Sequence, residues 1–147
     1  MLFKKISMKN ILRSLFFVFG LLMMANCAPT NEASQNISRK WMLVEFQDFS
    51  KDFIMKKGAN LDLSTKDQYG ANMGCNRMFM KADFKPDGTV VFSQVGSTMM
   101  FCEDAMKLED AFGKSLPAVT RYKTDGHFLT LTSKDGSTMK FVAADWD

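Results

Sequence analysis

The chain has 147 residues, of which 46 % are hydrophobic and 24 % charged, with three cysteines, one histidine and 13 methionines. Its formal net charge is +3, but the first 26 residues hold four of the 19 basic side chains and none of the 16 acidic ones, leaving 15 against 16, or −1, in the rest. That balance excludes a basic patch for phosphate backbones, and so nucleic acid as a partner; the length allows one domain with one core.

In chain order, Met1 to Arg13 carries Lys4, Lys5, Lys9 and Arg13 and no acid, and Ser14 to Ala25 ("SLFFVFGLLMMA") is uncharged and apolar. A basic stretch before a short apolar run is the secretory signal pattern, here over residues 1–26. Met8 is an alternative start with a more compact basic region. The run is shorter than the roughly 20 apolar residues of a comfortable membrane span. After Cys27 comes "APTNEASQN", small and polar, which reads with Cys27 as a tether over residues 27–37.

Cys27 directly after the apolar run resembles the lipobox of bacterial lipoproteins, with Met24 where leucine is usual and Asn26 where a small residue is preferred. The resemblance implies acylation of Cys27, which becomes the mature first residue. Each buried methylene adds about 0.8 kcal/mol, so two or three acyl chains hold firmly. With Ala28 rather than aspartate next, the outer membrane, on its periplasmic side, is the expected destination. The alternative is an ordinary signal peptide that leaves Cys27 as a free thiol.

The remaining 38–147 segment reads as one β-rich domain. Strands are expected over Lys40 to Phe49, Ala59 to Ser64 and Gln68 to Gly74. A hairpin follows, with Phe79 to Phe84 and Thr89 to Val95 around a turn at Pro86-Asp87-Gly88. Asp-Gly turns at 125–126 and 135–136 separate Ala118 to Lys123, His127 to Thr132 and Ser137 to Ala143, a three-strand meander. Between the two β groups, Ala105, Leu108, Phe112 and Leu116 mark one apolar face of a helix over residues 103–116. Glu103 and Asp104 suit its first turn and Pro117 its end. The expected class is α+β: a curved antiparallel, partly barrel-like sheet with one packed helix.

Cys75 and Cys102 allow several readings. In an oxidising envelope a pair left after acylation of Cys27 becomes a disulfide, which stabilises by about 3.5 kcal/mol in the chain-entropy model. Two reduced, buried thiols are the plain alternative. Zinc requires four ligands, and there is no Cys-x-x-Cys spacing and a single histidine, His127. Cu(I) is the more specific metal alternative, because Met73, Met78, Met80, Met99, Met100 and Met106 surround both cysteines in sequence and thioethers suit soft copper. A catalytic cysteine needs a base, and no hydrolase, phosphate-loop or metalloprotease motif occurs. Neither an enzyme nor a cofactor is expected.

The order of landmarks resembles the META domain, also called the HslJ heat-shock lipoprotein family. Trp41-Met42-Leu43 matches its opening strand, Gly74-Cys75-Asn76 its Gly-Cys-Asn segment, and Ser97-Thr98-Met99-Met100-Phe101-Cys102 the Thr-x-Met-x-Cys-like segment before the helix. Leu116-Pro117-Ala118-Val119, Tyr122 and Leu129-Thr130-Leu131 continue the match. The run Arg77-Met78-Phe79-Met80 departs from the family's usual glycine-containing step. The resemblance implies a small β-rich domain, usually secreted or lipid-anchored, in a family associated with heat-shock induction, novobiocin resistance and envelope phenotypes, and without an established enzymatic activity. On that basis Gly74 is expected to allow a tight turn, Cys75 to point inward toward Cys102, Asn76 to brace the loop, and the methionines to fill space around the bridge; Thr98 and Met99 complete the motif. The expected product is a monomeric, membrane-anchored envelope protein with a protein or small apolar partner.

Overall fold

The structure, a computed structural model, describes residues 37–146; the signal-like segment, Cys27 and most of the tether lie outside the described residues. Among the described residues eight strands form one antiparallel sheet: β1 (Lys40–Phe46), β2 (Asn60–Asp62), β3 (Tyr69–Asn72), β4 (Arg77–Phe84), β5 (Val90–Ser97), β6 (Val119–Asp125), β7 (Phe128–Ser133) and β8 (Thr138–Ala143). Their order is β5-β4-β3-β2-β1-β8-β7-β6. The first and last strands of the chain are therefore neighbours, and β5 and β6 are the edges. These edges meet at one point, where Thr89 bridges Arg121 and the Tyr122 N–H donates to the Gly88 carbonyl at 2.9 Å. The Tyr122 hydroxyl adds a bond to the Lys85 carbonyl at 2.9 Å. The sheet is nearly closed into a barrel, which leaves little exposed strand edge.

Register slips make that curvature. Trp41 and Leu43 face inward on β1, and continued alternation would bury Glu45 and expose Phe46. A register shift against β8 between Leu43 and Glu45 restores Phe46 to the core. Glu45 instead meets Lys140 on the outer surface at 2.8 Å. Similar shifts occur between β4 and β5 and between β6 and β7, where they bend the sheet toward closure.

Two helices accompany the sheet. The short α1 (Lys51–Lys56) starts at Ser50, whose hydroxyl accepts the Phe53 N–H. The expected strand to Phe49 stops at Phe46, and α1 has no counterpart in the expected elements; Gln47, with φ 46°, breaks the strand first. The longer α2 (Met106–Ser115) runs into a 3-10 turn at Leu116–Ala118. It begins at Met106 rather than Glu103, so Glu103 and Asp104 sit in the preceding turn and not in the helix's first turn. Pro117 falls near the start of the 3-10 turn, where its missing N–H leaves no bond unmade. Leu108, Phe112 and Leu116 are fully buried, and Phe112 meets Phe46 edge-on with ring centres 6.2 Å apart.

The antiparallel course gives the barrel two distinct ends. Ile37, the start of β1, the end of β8 and the β6–β7 turn lie at one, the entry end. The end of β1, α1, the β3–β4 connection, the end of β5 and the start of α2 lie at the other, the helix end. No helix among the described residues is long and apolar enough to cross a membrane.

Candidate functional site

The Gly-Cys-Asn segment and the segment before α2 converge at the helix end. Gly74 has φ +106°, a conformation that L side chains rarely adopt, and its N–H donates to the Asn72 side chain at 2.7 Å. The Lys57 stem lies where a Cβ on Gly74 would stand, with Lys57 Cβ only 2.9 Å away. The turn brings Cys75 to Cys102, and their sulfurs are bonded, with Cα atoms 5.8 Å apart. Cys75 reaches Cys102 as expected but is only partly buried; the residue buried deepest here is Asn76, 2 % exposed.

Asn76 is the centre of a polar clasp that sequence reasoning gave only a generic bracing role. Its backbone N–H and its side-chain N–H each donate to one oxygen of Glu109, both at 2.7 Å. Its second amide hydrogen reaches the Met100 carbonyl at 3.0 Å. Its oxygen accepts from the Thr98 hydroxyl at 2.8 Å and from the Met100 N–H at 2.7 Å. The amide thus uses both donors and both acceptor positions. Thr98 completes the clasp: its hydroxyl accepts the Arg77 N–H and its own N–H donates to the Arg77 carbonyl at 3.0 Å.

Glu109 is only 5 % exposed and was missed. The available signal was its position on α2, one residue after Leu108 and three before Phe112, on the border of the apolar face. A carboxylate there needs a buried partner, because burying an unpaired charge is expensive. Two hydrogen bonds from Asn76 supply it.

The clasp holds a loop that is apolar and exposed. Met99 is 98 % and Phe101 82 % exposed, with Met100 also largely in solvent. The expectation that the methionines around the bridge fill space holds for Met73, Met78 and Met80, which are core residues, and fails for Met99 and Met100. Both loop ends are fixed, by Thr98 on one side and Cys102 on the other, while Met100 is gripped by both its N–H and its carbonyl. The peptide is thus restrained and its side chains are left outside.

This arrangement offers little reactive chemistry. Both sulfurs of the pair are spent in a disulfide, so neither is a thiolate ligand or nucleophile. Among the described residues no group of three or more His, Cys, Asp or Glu is placed to hold a metal ion. His127 lies at the entry end, stacked on Trp146 with ring centres 4.9 Å apart, far along the barrel from Cys75.

A model of the META domain matches residues 35–146. The chain belongs to the META domain family. Among curated proteins none matches it. A protein from Burkholderia xenovorans solved by NMR is similar with 23% identity and a TM-score of 0.60, over 74% of this chain and 83% of that one. A second NMR structure has 18% identity and a TM-score of 0.59, over 80% and 97% of the two chains. A DUF4847 family protein from Bacteroides vulgatus has 14% identity and a TM-score of 0.54, over 75% and 95%. These likenesses show a shared fold. The META domain is not a known enzyme family.

Proposed function

We propose that this META domain is a non-catalytic module of the bacterial cell envelope, lipid-anchored through Cys27, that binds a protein partner through the Met99–Phe101 loop and supports tolerance of envelope stress or antibiotics. The observation that carries this reading is the clasped loop. Among the described residues Met99 and Phe101 stand further into solvent than any other large apolar side chain, and they do so on a peptide fixed by Asn76, Thr98 and Cys102. An exposed, ordered apolar projection of this kind suits insertion into a cavity of a partner, since little ordering entropy remains to be lost. Glu103 and Asp104 follow Cys102, Lys57 pairs with Asp104 at 3.9 Å, and Arg77 adjoins Thr98, so the loop's margin carries charges of both signs, which suits a protein surface of complementary charge. A stable disulfide fits an oxidising compartment, in keeping with the signal-like N-terminus.

Two measurements test the reading. Intact-mass spectrometry of the membrane-extracted protein should give a mature chain that starts at Cys27, carries acyl chains and lacks two hydrogens. A full-length chain with a free Cys27 removes the anchor from the account. A strain producing Met99→Ser/Phe101→Ser at normal levels should lose stress tolerance as a deletion does; full tolerance in that strain removes the loop.

Copper remains the second reading only for the reduced protein. Titration with Cu(I) before and after reduction decides it: tight stoichiometric uptake that Met→Leu changes abolish would favour it.

A further inference from the structure

The entry end carries a second group of exposed apolar side chains that the clasped loop does not explain. Trp146 and Phe128 are each 47 % exposed, and their rings meet edge-on at 5.6 Å. His127 stacks on Trp146, with an angle of 9° between ring planes. The group is built into the sheet. The Ala143 N–H donates to the His127 carbonyl at 2.8 Å, and the Trp146 N–H to the Ala143 carbonyl at 3.2 Å.

The same end is where the chain enters the fold. The Ile37 carbonyl accepts from Trp41 Nε1 at 3.0 Å and from the Arg39 N–H at 2.8 Å. The Ala144 N–H donates to the Lys40 carbonyl at 2.9 Å, and Arg39 pairs with Asp145, the neighbour of Trp146, at 3.4 Å. Ile37 is thus joined to the neighbour of Trp146 through one hydrogen bond, to Arg39, and the Arg39–Asp145 ion pair. Ten residue steps separate Ile37 from Cys27, a reach of at most about 35 Å.

We infer that the His127, Phe128 and Trp146 group is a bilayer-docking face, seated at the lipid headgroup level beside the anchored tether. The inference rests on the anchor at Cys27. An anchor within that reach holds the entry end close to the bilayer, so the patch meets lipid at high effective concentration and needs little affinity of its own. Tryptophan suits this depth because its ring is apolar and its N–H still finds water or a headgroup oxygen. Lys123 and His127 border the same depression beside Phe128 and offer donors to headgroup phosphates. The charges at this end include Asp125 and Asp145 as well as Lys40, Arg39 and Lys123, so docking depends more on the aromatic rings than on net charge. The consequence is orientation: the entry end faces the membrane and the Met99–Phe101 loop points away from it.

The two tryptophans make the test direct, because Trp41 is wholly buried and Trp146 is not. The membrane-extracted protein is reconstituted into vesicles of phosphatidylethanolamine and phosphatidylglycerol that contain brominated lipid, and flotation confirms which protein is vesicle-bound. The expected result is loss of the part of the emission that Trp146→Phe also removes, with the Trp41 part retained. Replacing phosphatidylglycerol by a neutral lipid should leave most of that quenching in place. In the Trp146→Phe background, Phe101→Trp at the opposite end should show no quenching. An unquenched Trp146 on vesicle-bound protein overturns the docking face even when intact mass confirms acylation. Quenching of the Phe101→Trp variant equal to that of Trp146 in the wild type overturns the orientation. Protein that carries no acyl chains overturns the anchor, and failure to float as well overturns both.

Discussion

The two ends of the barrel both expose apolar side chains, and they hold them in opposite ways. At the entry end the aromatic rings of His127, Phe128 and Trp146 support one another by stacking, and the backbone beneath is sheet or its direct continuation. At the helix end Met99 and Phe101 have no such mutual support. Their loop is fixed from below by one amide, one hydroxyl, one buried carboxylate and a disulfide. The difference shows where each end is vulnerable. Ring-stacking at the entry end is local and can lose one member with little consequence for the fold. The clasp is a network in which each polar group is satisfied by the others, so removing one leaves the rest buried and unpaired.

The sharpest break is therefore at the helix end. Cys75→Ala/Cys102→Ala should lower unfolding stability by about 3.5 kcal/mol, from the chain entropy released across a separation of 27 residues, as read from urea titration of the oxidised wild type and the variant. Asn76→Ala should cost about 2–3 kcal/mol, because Glu109 keeps a single donor in a buried place. Adding Glu109→Gln in a double-mutant cycle should show strong coupling between the two; additive effects would mean that Glu109 is not held by the Asn76 amide.

Gly74→Ala should cost about 2 kcal/mol through its positive φ and the Lys57 stem. The change should leave the entry-end aromatic signals of an NMR spectrum unmoved. By contrast, Trp146→Phe and Met99→Ser should each change stability by less than about 0.5 kcal/mol, since neither side chain supports the core. A large loss at either position would mean that the exposed groups are structural.

Acid should have the smallest effect. Asp62, Asp87 and Asp135 each accept from the hydroxyl and backbone N–H two residues on, at Ser64, Thr89 and Ser137, and these bonds lower their pKa below the ordinary 3.8. The ionised form is the one bonded in the fold, so the contribution is complete above pH 3.8 and is lost as pH falls through the lower folded values. A urea midpoint that stays level down to about pH 4 and declines below it checks this.

Much of this fold was legible because its punctuation is local. Asp-Gly pairs at 125–126 and 135–136 divided β6, β7 and β8, and the Leu129-Thr130-Leu131 landmark falls in β7, with both leucines buried. What escaped depends on contacts distant in sequence or on backbone irregularity. The slip that returns Phe46 to the core arises from pairing with β8, far along the chain, so β1 looked longer and simpler than it is. The motif Gly74-Cys75-Asn76 was visible and its partners were not: Asn76 meets Glu109 across 33 residues, and the position of that acid on the border of the apolar face marks it for burial without naming its partner. Methionine identity was equally mute, since Met80 is core and Met99 is exposed.

The central claim is that the apolar loop is held in one conformation by the Asn76 amide. Amide hydrogen exchange at Met100 tests it most directly, because that N–H is in the loop yet donates to Asn76 at 2.7 Å. The account predicts marked protection at Met100 in the oxidised wild type, fast exchange at Met99, and loss of the Met100 protection in Asn76→Ala with the barrel strands still protected. Exchange at Met100 as fast as in an unstructured peptide would contradict it.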